Sequence, residues 1–129
     1  MRHTFLVVDD NEIDQLVTRQ LLKVKLGVTE INRANNGAEA LEWLKGYNPE
    51  ANSGLIILLD IKMPELDGFG FLEAFEKLDE KLKRITKIIM VSSTLDPVDT
   101  ERAGQHKQVE KLLTKPLPIN ELADYLATL

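Results

Sequence analysis

The sequence contains no cysteine, only two histidines, and no apolar run that approaches the length of a membrane span. The missing cysteines exclude disulfides, thiolate metal sites and cysteine nucleophiles. A transmembrane helix needs roughly 18 or more apolar residues, so we expect no membrane span. The N-terminal stretch MRHTFLVVDD leads directly into a strand-like segment that ends in two acids, which is not the pattern of a signal peptide. These absences indicate a cytoplasmic protein that is not inserted in a membrane.

An excess of positive charge is also missing. The chain has 16 Lys and Arg against 21 Asp and Glu, which gives a net charge of −5. This balance argues against nonspecific binding to nucleic acid or to an anionic membrane surface. The 129 residues, 43% of them hydrophobic, are enough for one domain with its own core and too few for two. We therefore expect a single domain over residues 1–129.

Five short apolar runs alternate with helical patterns along the chain. The predicted strands cover 4–8, 30–34, 55–59, 87–91 and 110–114. Apolar residues that recur at spacings of three and four indicate helices between and after them. One such stripe consists of Ile13, Val17, Leu21 and Val24, and a second of Phe71, Phe75, Leu78 and Leu82. Further helices are predicted at 38–45, at about 97–104 and along Ile119, Leu122, Leu126 and Leu129.

The alternation of strand and helix predicts an α/β fold. Its expected form is a doubly wound five-stranded parallel sheet with helices on both faces. The common strand order for five strands is 2-1-3-4-5, and ligands bind beyond the carboxyl ends of the strands at the switch point. Strands one and three flank that point, so the strand ends are the places to search for chemistry.

Polar side chains stand at four of the predicted strand ends. Asp9 and Asp10 follow strand one, Asp60 follows strand three, Ser92 follows strand four, and Lys115 follows strand five. Carboxylates held close together repel each other unless a cation joins them. An oxygen-only set without His or Cys suits a hard ion, and Mg²⁺ is preferred to Ca²⁺ where a phosphate completes the site.

This set of residues also suits phosphoryl transfer. A carboxylate oxygen can act as the nucleophile and form an aspartyl phosphate. Ser92 could donate a hydrogen bond to the phosphoryl group, and Lys115 could neutralise its charge. Each residue alone has an ordinary alternative: Asp10 or the stretch Ser92–Thr94 could cap a helix, and Lys115 could be a solvated loop lysine. Their convergence on one edge of the sheet favours a functional site.

Four separated motifs give the chain a family resemblance. FLVVDDN, LLDIKMPELDGFGFL, IIMVSS and TKPL, in this order and spacing, resemble the receiver domain of bacterial two-component response regulators. The resemblance extends from Thr4 to Leu126. It implies a flavodoxin-like fold that accepts a phosphoryl group from a sensor histidine kinase or a phosphotransfer protein.

The resemblance also implies a role for individual residues. Asp60 would be the phosphoacceptor. Mg²⁺ would be bound by Asp9, Asp10, Asp60 and the backbone carbonyl of Lys62. Ser92 and Lys115 would contact the phosphoryl group, and Pro116 would follow a cis peptide bond. The loop beside Asp60 would be shaped by Pro64, Asp67 and Gly68. The chain would catalyse its own phosphorylation and dephosphorylation, without being a metabolic enzyme.

Two departures from the family pattern concern signal output. Leu112 stands three residues before Lys115, where the family usually has an aromatic side chain. The segment RAGQHKQVEKLL lacks the usual Gly-Ala turn before the lysine. We therefore expect Leu112 to pack permanently, and the loop Ser92–Thr94 to carry the response to phosphorylation instead.

Several functions remain in competition at this point. The sequence as given has no residues for an output domain after Leu129, so we expect a stand-alone receiver that binds an unidentified downstream protein or passes its phosphoryl group on. A receiver taken from a larger regulator would have the same sequence. The alternative is a phosphorylation-independent interaction module on the same fold, which the intact set of polar residues disfavours. A phosphatase of the haloacid dehalogenase type would need an acid two residues after the nucleophile, where this chain has Lys62.

Overall fold

The computed structural model describes residues 2–49, 53–93 and 96–129. The strands are β1 (Arg2–Val8), β2 (Ile31–Ala34), β3 (Ser53–Asp60), β4 (Thr86–Ser92) and β5 (Val109–Thr114). The helices are α1 (Glu12–Leu26), α2 (Gly37–Lys45), α3 (Gly68–Phe75), α4 (Glu80–Ile85), α5 (Pro97–Gly104) and α6 (Ile119–Leu126). All strand pairs are parallel and the order is β2-β1-β3-β4-β5. The predicted doubly wound α/β fold is confirmed.

Two apolar layers cover the two faces of the sheet. Along β3 every residue is buried, and alternate side chains therefore enter opposite layers. One layer joins Leu55, Ile57 and Leu59 to residues of α2 to α5, chiefly the phenylalanines of α3. The other joins Ile56 and Leu58 to Leu22 of α1 and to Leu122 of α6. A strand buried on both faces explains the unbroken apolar run that marks β3 in the sequence.

The strand register brings the polar strand ends to one level. Val8 of β1 lies beside Leu59 of β3, so Asp9 and Asp60 each stand one residue beyond this pair. On the other flank of β3, Ser92 of β4 lies beside Thr114 of β5, the residue before Lys115. The residues predicted from the strand ends thus meet at one edge, as the switch-point rule requires.

Three of the four residues in the predicted apolar stripe of α1 are exposed to solvent, and the fourth, Leu21, is partly buried against the core. Ile13 and Val24 are each 72% exposed and Val17 is 43% exposed, whereas Gln15 and Leu22 are fully buried. Spacing predicted the helix correctly but did not fix its rotation about its axis. The rotation brings Gln15 Nε2 to two acceptors at the ends of β1 and β2, which satisfies this buried donor.

The second predicted stripe is divided between two helices. Phe71 and Phe75 belong to α3, whereas Leu82 belongs to α4. The division occurs at Asp79, whose side chain accepts a hydrogen bond from Lys81 N at 3.0 Å. This cap starts a new helix and allows both segments to pack against the same apolar layer.

Within the three described ranges, no helix has both the length and the apolar character that crossing a bilayer requires. Leu112 is partly buried against the layer that contains α3. Thr94, the last residue of the predicted Ser92–Thr94 loop, lies outside the described residues.

Candidate functional site

Three carboxylates meet at the carboxyl edge of the sheet. One oxygen from each of Asp9, Asp10 and Asp60 lies within 4.8 Å of the others. Asp9 and Asp60 are 4% and 7% exposed, whereas Asp10 is open to solvent. An oxygen-only set with one solvent-facing member suits Mg²⁺, which keeps several waters when it binds to one or two carboxylates. The donor set therefore fits the cation predicted from the sequence.

The turn between β1 and α1 holds the acidic pair in place. Asn11 caps α1, because its Oδ1 accepts hydrogen bonds from Ile13 N at 2.9 Å and Asp14 N at 3.0 Å. Asn11 N in turn donates to Asp9 Oδ1 at 3.0 Å. The cap satisfies amide groups at the start of the helix, and it fixes the Asp9 carboxylate relative to α1.

Gln15 supports this turn from inside the protein. Its Nε2 donates to the Asp9 carbonyl and, at 2.9 Å, to Asn35 Oδ1 beyond β2. Its Oε1 is buried and has no hydrogen-bond partner among the described residues. Gln15 is not among the residues predicted from the sequence. The available signal was its position seven residues before Leu22, which places both on one helical face.

Burial and neighbouring charges compete at Asp60. Burial, together with the charge of Asp9, raises the pKa of the Asp60 carboxyl to about 6, although Lys115 acts in the opposite direction. Lys115 Nζ lies 3.4 Å from Asp60 Oδ2, and Lys62 N lies 3.4 Å from Asp60 Oδ1. Both contacts are long, so they compensate the loss of hydration only in part.

Lys115 is the cation at the centre of the cluster. Its Nζ lies 2.9 Å from Asp9 Oδ2, 2.9 Å from Asp14 Oδ2 and 3.4 Å from Asp60 Oδ2. Burial by itself would lower the pKa of the lysine. Hydrogen bonds to Asp9 and Asp14 and the charge of Asp60 outweigh it and raise that pKa above its ordinary value. The contact with Asp14 was not predicted from the sequence.

The ends of β4 and β5 place Ser92 beside Lys115. Ser92 is 1% exposed, and its carbonyl accepts a hydrogen bond from Lys115 N at 2.8 Å. The Lys115–Pro116 peptide bond is cis, as the resemblance implied. The metal-binding role of the Lys62 carbonyl stays a prediction.

The loop between β3 and α3 lies directly against the end of β3. Gly68 N donates to the Ile61 carbonyl at 2.8 Å. A Cβ atom on Gly68 would lie 2.7 Å from the Asp60 carbonyl oxygen and 2.9 Å from Ile61 Cα. Glycine is required here because no side chain fits between the loop and the strand. Asp67 starts α3 by accepting a hydrogen bond from Gly70 N at 2.8 Å.

Comparison with known proteins gives a consistent family. Residues 5–127 match the response regulator receiver domain family. The chain is 30% identical to the polar-differentiation response regulator DivK of Brucella ovis, with 98% of each chain covered. A crystal structure of a response regulator receiver protein from Dyadobacter fermentans has a TM-score of 0.87 and 32% identity, covering 98% of this chain and 96% of the other.

A further relative is much longer. The chain is 35% identical to the sensor histidine kinase CheAY of Helicobacter pylori over 125 residues, which is 95% of this chain. It spans only 14% of the length of that kinase. The similarity therefore concerns one region of CheAY.

Proposed function

This chain belongs to the response regulator receiver family of two-component signalling, and we propose that it is a switch controlled by phosphorylation of Asp60. We further propose that residues 1–129 act as one receiver domain. The observation that carries the proposal is the position of Asp60 at the end of a buried strand, in contact with Lys115 and beside two further carboxylates.

The proposed reaction is a simple displacement. A carboxylate oxygen of Asp60 forms a bond to phosphorus, and the bond between phosphorus and a histidine nitrogen of the donor breaks. The electron pair of that bond stays on the imidazole. Because Asp60 reacts as the carboxylate, its attack requires no base.

The surrounding residues have separate roles in this proposal. Asp9, Asp10, Asp60 and the Lys62 carbonyl would hold Mg²⁺, which supplies positive charge to the transferring phosphoryl group. Lys115 would bind a phosphoryl oxygen through its ammonium group, as a charge-assisted hydrogen bond. The Ser92 hydroxyl would donate to another phosphoryl oxygen. Dephosphorylation by water would use the same groups.

The donor is proposed to be a sensor histidine kinase or a phosphotransfer protein that docks beside the site. Helix α1 starts next to Asp10 and exposes four apolar side chains to solvent. They are Ile13, Leu16, Val17 and Val24. An exposed apolar stripe of this kind marks a protein contact, and its continuity with the acidic edge favours the phosphodonor as the occupant. Phosphorylation would then control binding to a downstream protein or onward phosphotransfer.

Incubation with acetyl phosphate and Mg²⁺ tests the proposal. Intact-mass measurement should show one added phosphoryl group in the native sequence and none in Asp60→Asn, which preserves the shape of the side chain without the nucleophilic oxygen. Asp79→Asn is the matched control, because Asp79 is an exposed aspartate that caps α4 away from the loop beside Asp60, and it should be labelled normally. Undiminished labelling of Asp60→Asn would refute the assignment. A complete lack of labelling in the native sequence would favour the phosphorylation-independent module instead.

A further inference from the structure

Asp14 shares Lys115 with the proposed phosphoacceptor. We infer that Asp14 is a positioning residue that draws the Lys115 ammonium group away from Asp60 and so slows phosphorylation. This inference rests on the proposed function of Asp60. It concerns a carboxylate that is not a member of the three-acid cluster, and whose side chain contacts the site through its ion pair with Lys115.

The distances show which partners the lysine favours. An ammonium group has three donors, and Lys115 has one contact each with Asp9, Asp14 and Asp60. Its distance to Asp14 is 2.9 Å, which is ideal for a charge-assisted hydrogen bond. Its distance to Asp60 is 3.4 Å, which is at the limit of a hydrogen bond. The lysine is therefore held more closely by Asp14 than by the residue that is to be phosphorylated.

Asp14 is a fixed competitor because of its position on α1. It lies in the first turn of the helix, and its backbone amide donates to the capping side chain of Asn11. The carboxylate of Asp9, the other close partner of the lysine, also belongs to the proposed metal site. If a metal ion binds the Asp9 carboxylate, Asp14 becomes the main group that competes with a phosphoryl oxygen for Lys115. An N–H group of Lys115 that donates to Asp14 is not available to stabilise the transferring phosphoryl group.

The alternative is that Asp14 helps phosphorylation by holding Lys115 near the site. If Asp14 mainly kept Lys115 ordered near the site, removing its charge would slow phosphorylation. The side chain of Asp14 is 41% exposed whereas that of Asp9 is 5% exposed, so solvent weakens the Asp14 contact. Asp9, Asp60 and the incoming phosphoryl group together suffice to retain the lysine at the site. Competition is therefore the expected effect.

The first test measures phosphorylation of Asp14→Asn by acetyl phosphate and Mg²⁺. The rate constant at saturating donor should rise about two- to five-fold, in keeping with an ion pair of this exposure. Glu12→Gln is the matched control, because Glu12 is the other acid in the first turn of α1. A general effect of charge on the anionic donor would appear in both variants, and chiefly in the half-saturating donor concentration. An unchanged or lower rate constant in Asp14→Asn overturns the inference.

The second test asks whether the effect depends on Lys115 and needs no turnover. Binding of beryllium fluoride with Mg²⁺, a mimic of the phosphoryl group, is measured by calorimetry. Asp14→Asn should tighten binding about two- to five-fold in the native background and leave it unchanged in Lys115→Met, because coupled residues lose additivity. The same tightening in both backgrounds overturns the inference. Labelling of the native sequence with equal rates in Asp14→Asn refutes the role of Asp14 alone, whereas an absence of labelling refutes the proposed function.

Discussion

Asp60 lies almost out of contact with solvent, between a cation and two other carboxylates. Its long hydrogen bonds replace only part of its lost hydration, and burial raises its pKa from the ordinary 3.8 to about 6. The ionised form that phosphoryl transfer requires is thus a form that the metal-free fold disfavours. A cation at this edge would relieve the same cost.

The raised pKa leads to a prediction about stability and pH. The unfolded chain releases the Asp60 proton near pH 4, and the folded protein releases it near pH 6. The folded state therefore binds more protons between these values, and its stability falls as the pH rises through them. In chelator at pH 8, Asp60→Asn should be more stable than the native sequence by about 1–3 kcal/mol, the upper value being that of a two-unit pKa shift. The difference should shrink toward pH 4.

Urea unfolding at several pH values, with chelator throughout, measures this difference. Asp67→Asn serves as the matched control, because Asp67 is exposed at the cap of α3. Parallel pH profiles for Asp60→Asn and the native sequence would show that ionisation of Asp60 carries no cost.

The site residues differ in how visible they are in the sequence. Asp9, Asp60, Ser92 and Lys115 end predicted strands, so the topology alone brings them together. Asp14 contacts Lys115 across 101 positions of the chain. It has the ordinary appearance of a first-turn helix acid, which the helix dipole favours in any case. Its role becomes visible only when the rotation of α1 is known.

Helix α1 shows why element prediction was incomplete. Apolar spacing identifies a helix whether the stripe faces the core or a partner, since both leave the same period in the sequence. In α1, Ile13, Val17 and Val24 are exposed while Gln15 is buried, so most of the predicted stripe lies away from the core. The strands were predicted more closely, because β3 and β4 are buried on both faces and appear as continuous apolar runs.

Helix α5 has few contacts that hold it against the sheet. Ala103 is its only buried residue, and Val98 is 63% exposed. The guanidinium of Arg102 lies 4.1 Å from the centre of the Phe69 ring, which adds one cation–π contact. A helix with so little buried surface has a low local stability, and it follows the end of β4, where Ser92 lies.

The low local stability of α5 predicts that phosphorylation changes the conformation of this helix most. If Ser92 donates to the phosphoryl group, the end of β4 shifts, and α5, which follows it, shifts as well. Amide hydrogen exchange with and without beryllium fluoride and Mg²⁺ should therefore differ most in α5 (Pro97–Gly104). The new hydrogen bond supplies the differential contact that a population shift requires.

Two substitutions test whether Ser92 or Leu112 transmits the phosphorylation signal to α5. Ser92→Ala should suppress the change in α5, because it removes the hydroxyl donor. Leu112→Met keeps nearly the same volume and should leave the change intact, since Leu112 lies partly buried against the core. The reverse pattern would identify Leu112 as the moving residue despite its lack of an aromatic ring.

The molecule as a whole combines a densely packed sheet with an acidic edge. Two apolar layers stabilise both faces of β3. The stability that they provide allows the fold to hold three carboxylates within 4.8 Å of each other. Their repulsion lowers the stability of the native state in the absence of a cation, whereas the unfolded chain separates them. Cation binding and global unfolding are therefore linked.

Linkage predicts the effect of Mg²⁺ on melting. At ten times its dissociation constant, an ion that binds only the native state adds about 1.4 kcal/mol. For a domain of this size, the melting temperature should rise by roughly 3–8 °C. Asp10→Asn should abolish this rise, because the exposed Asp10 carboxylate loses charge and one oxygen ligand. The same variant should melt above the native sequence in chelator, since one of the repelling charges is gone. Calorimetry at matched ionic strength separates these effects from general screening, and an equal Mg²⁺ shift in Asp10→Asn would contradict the proposed metal site.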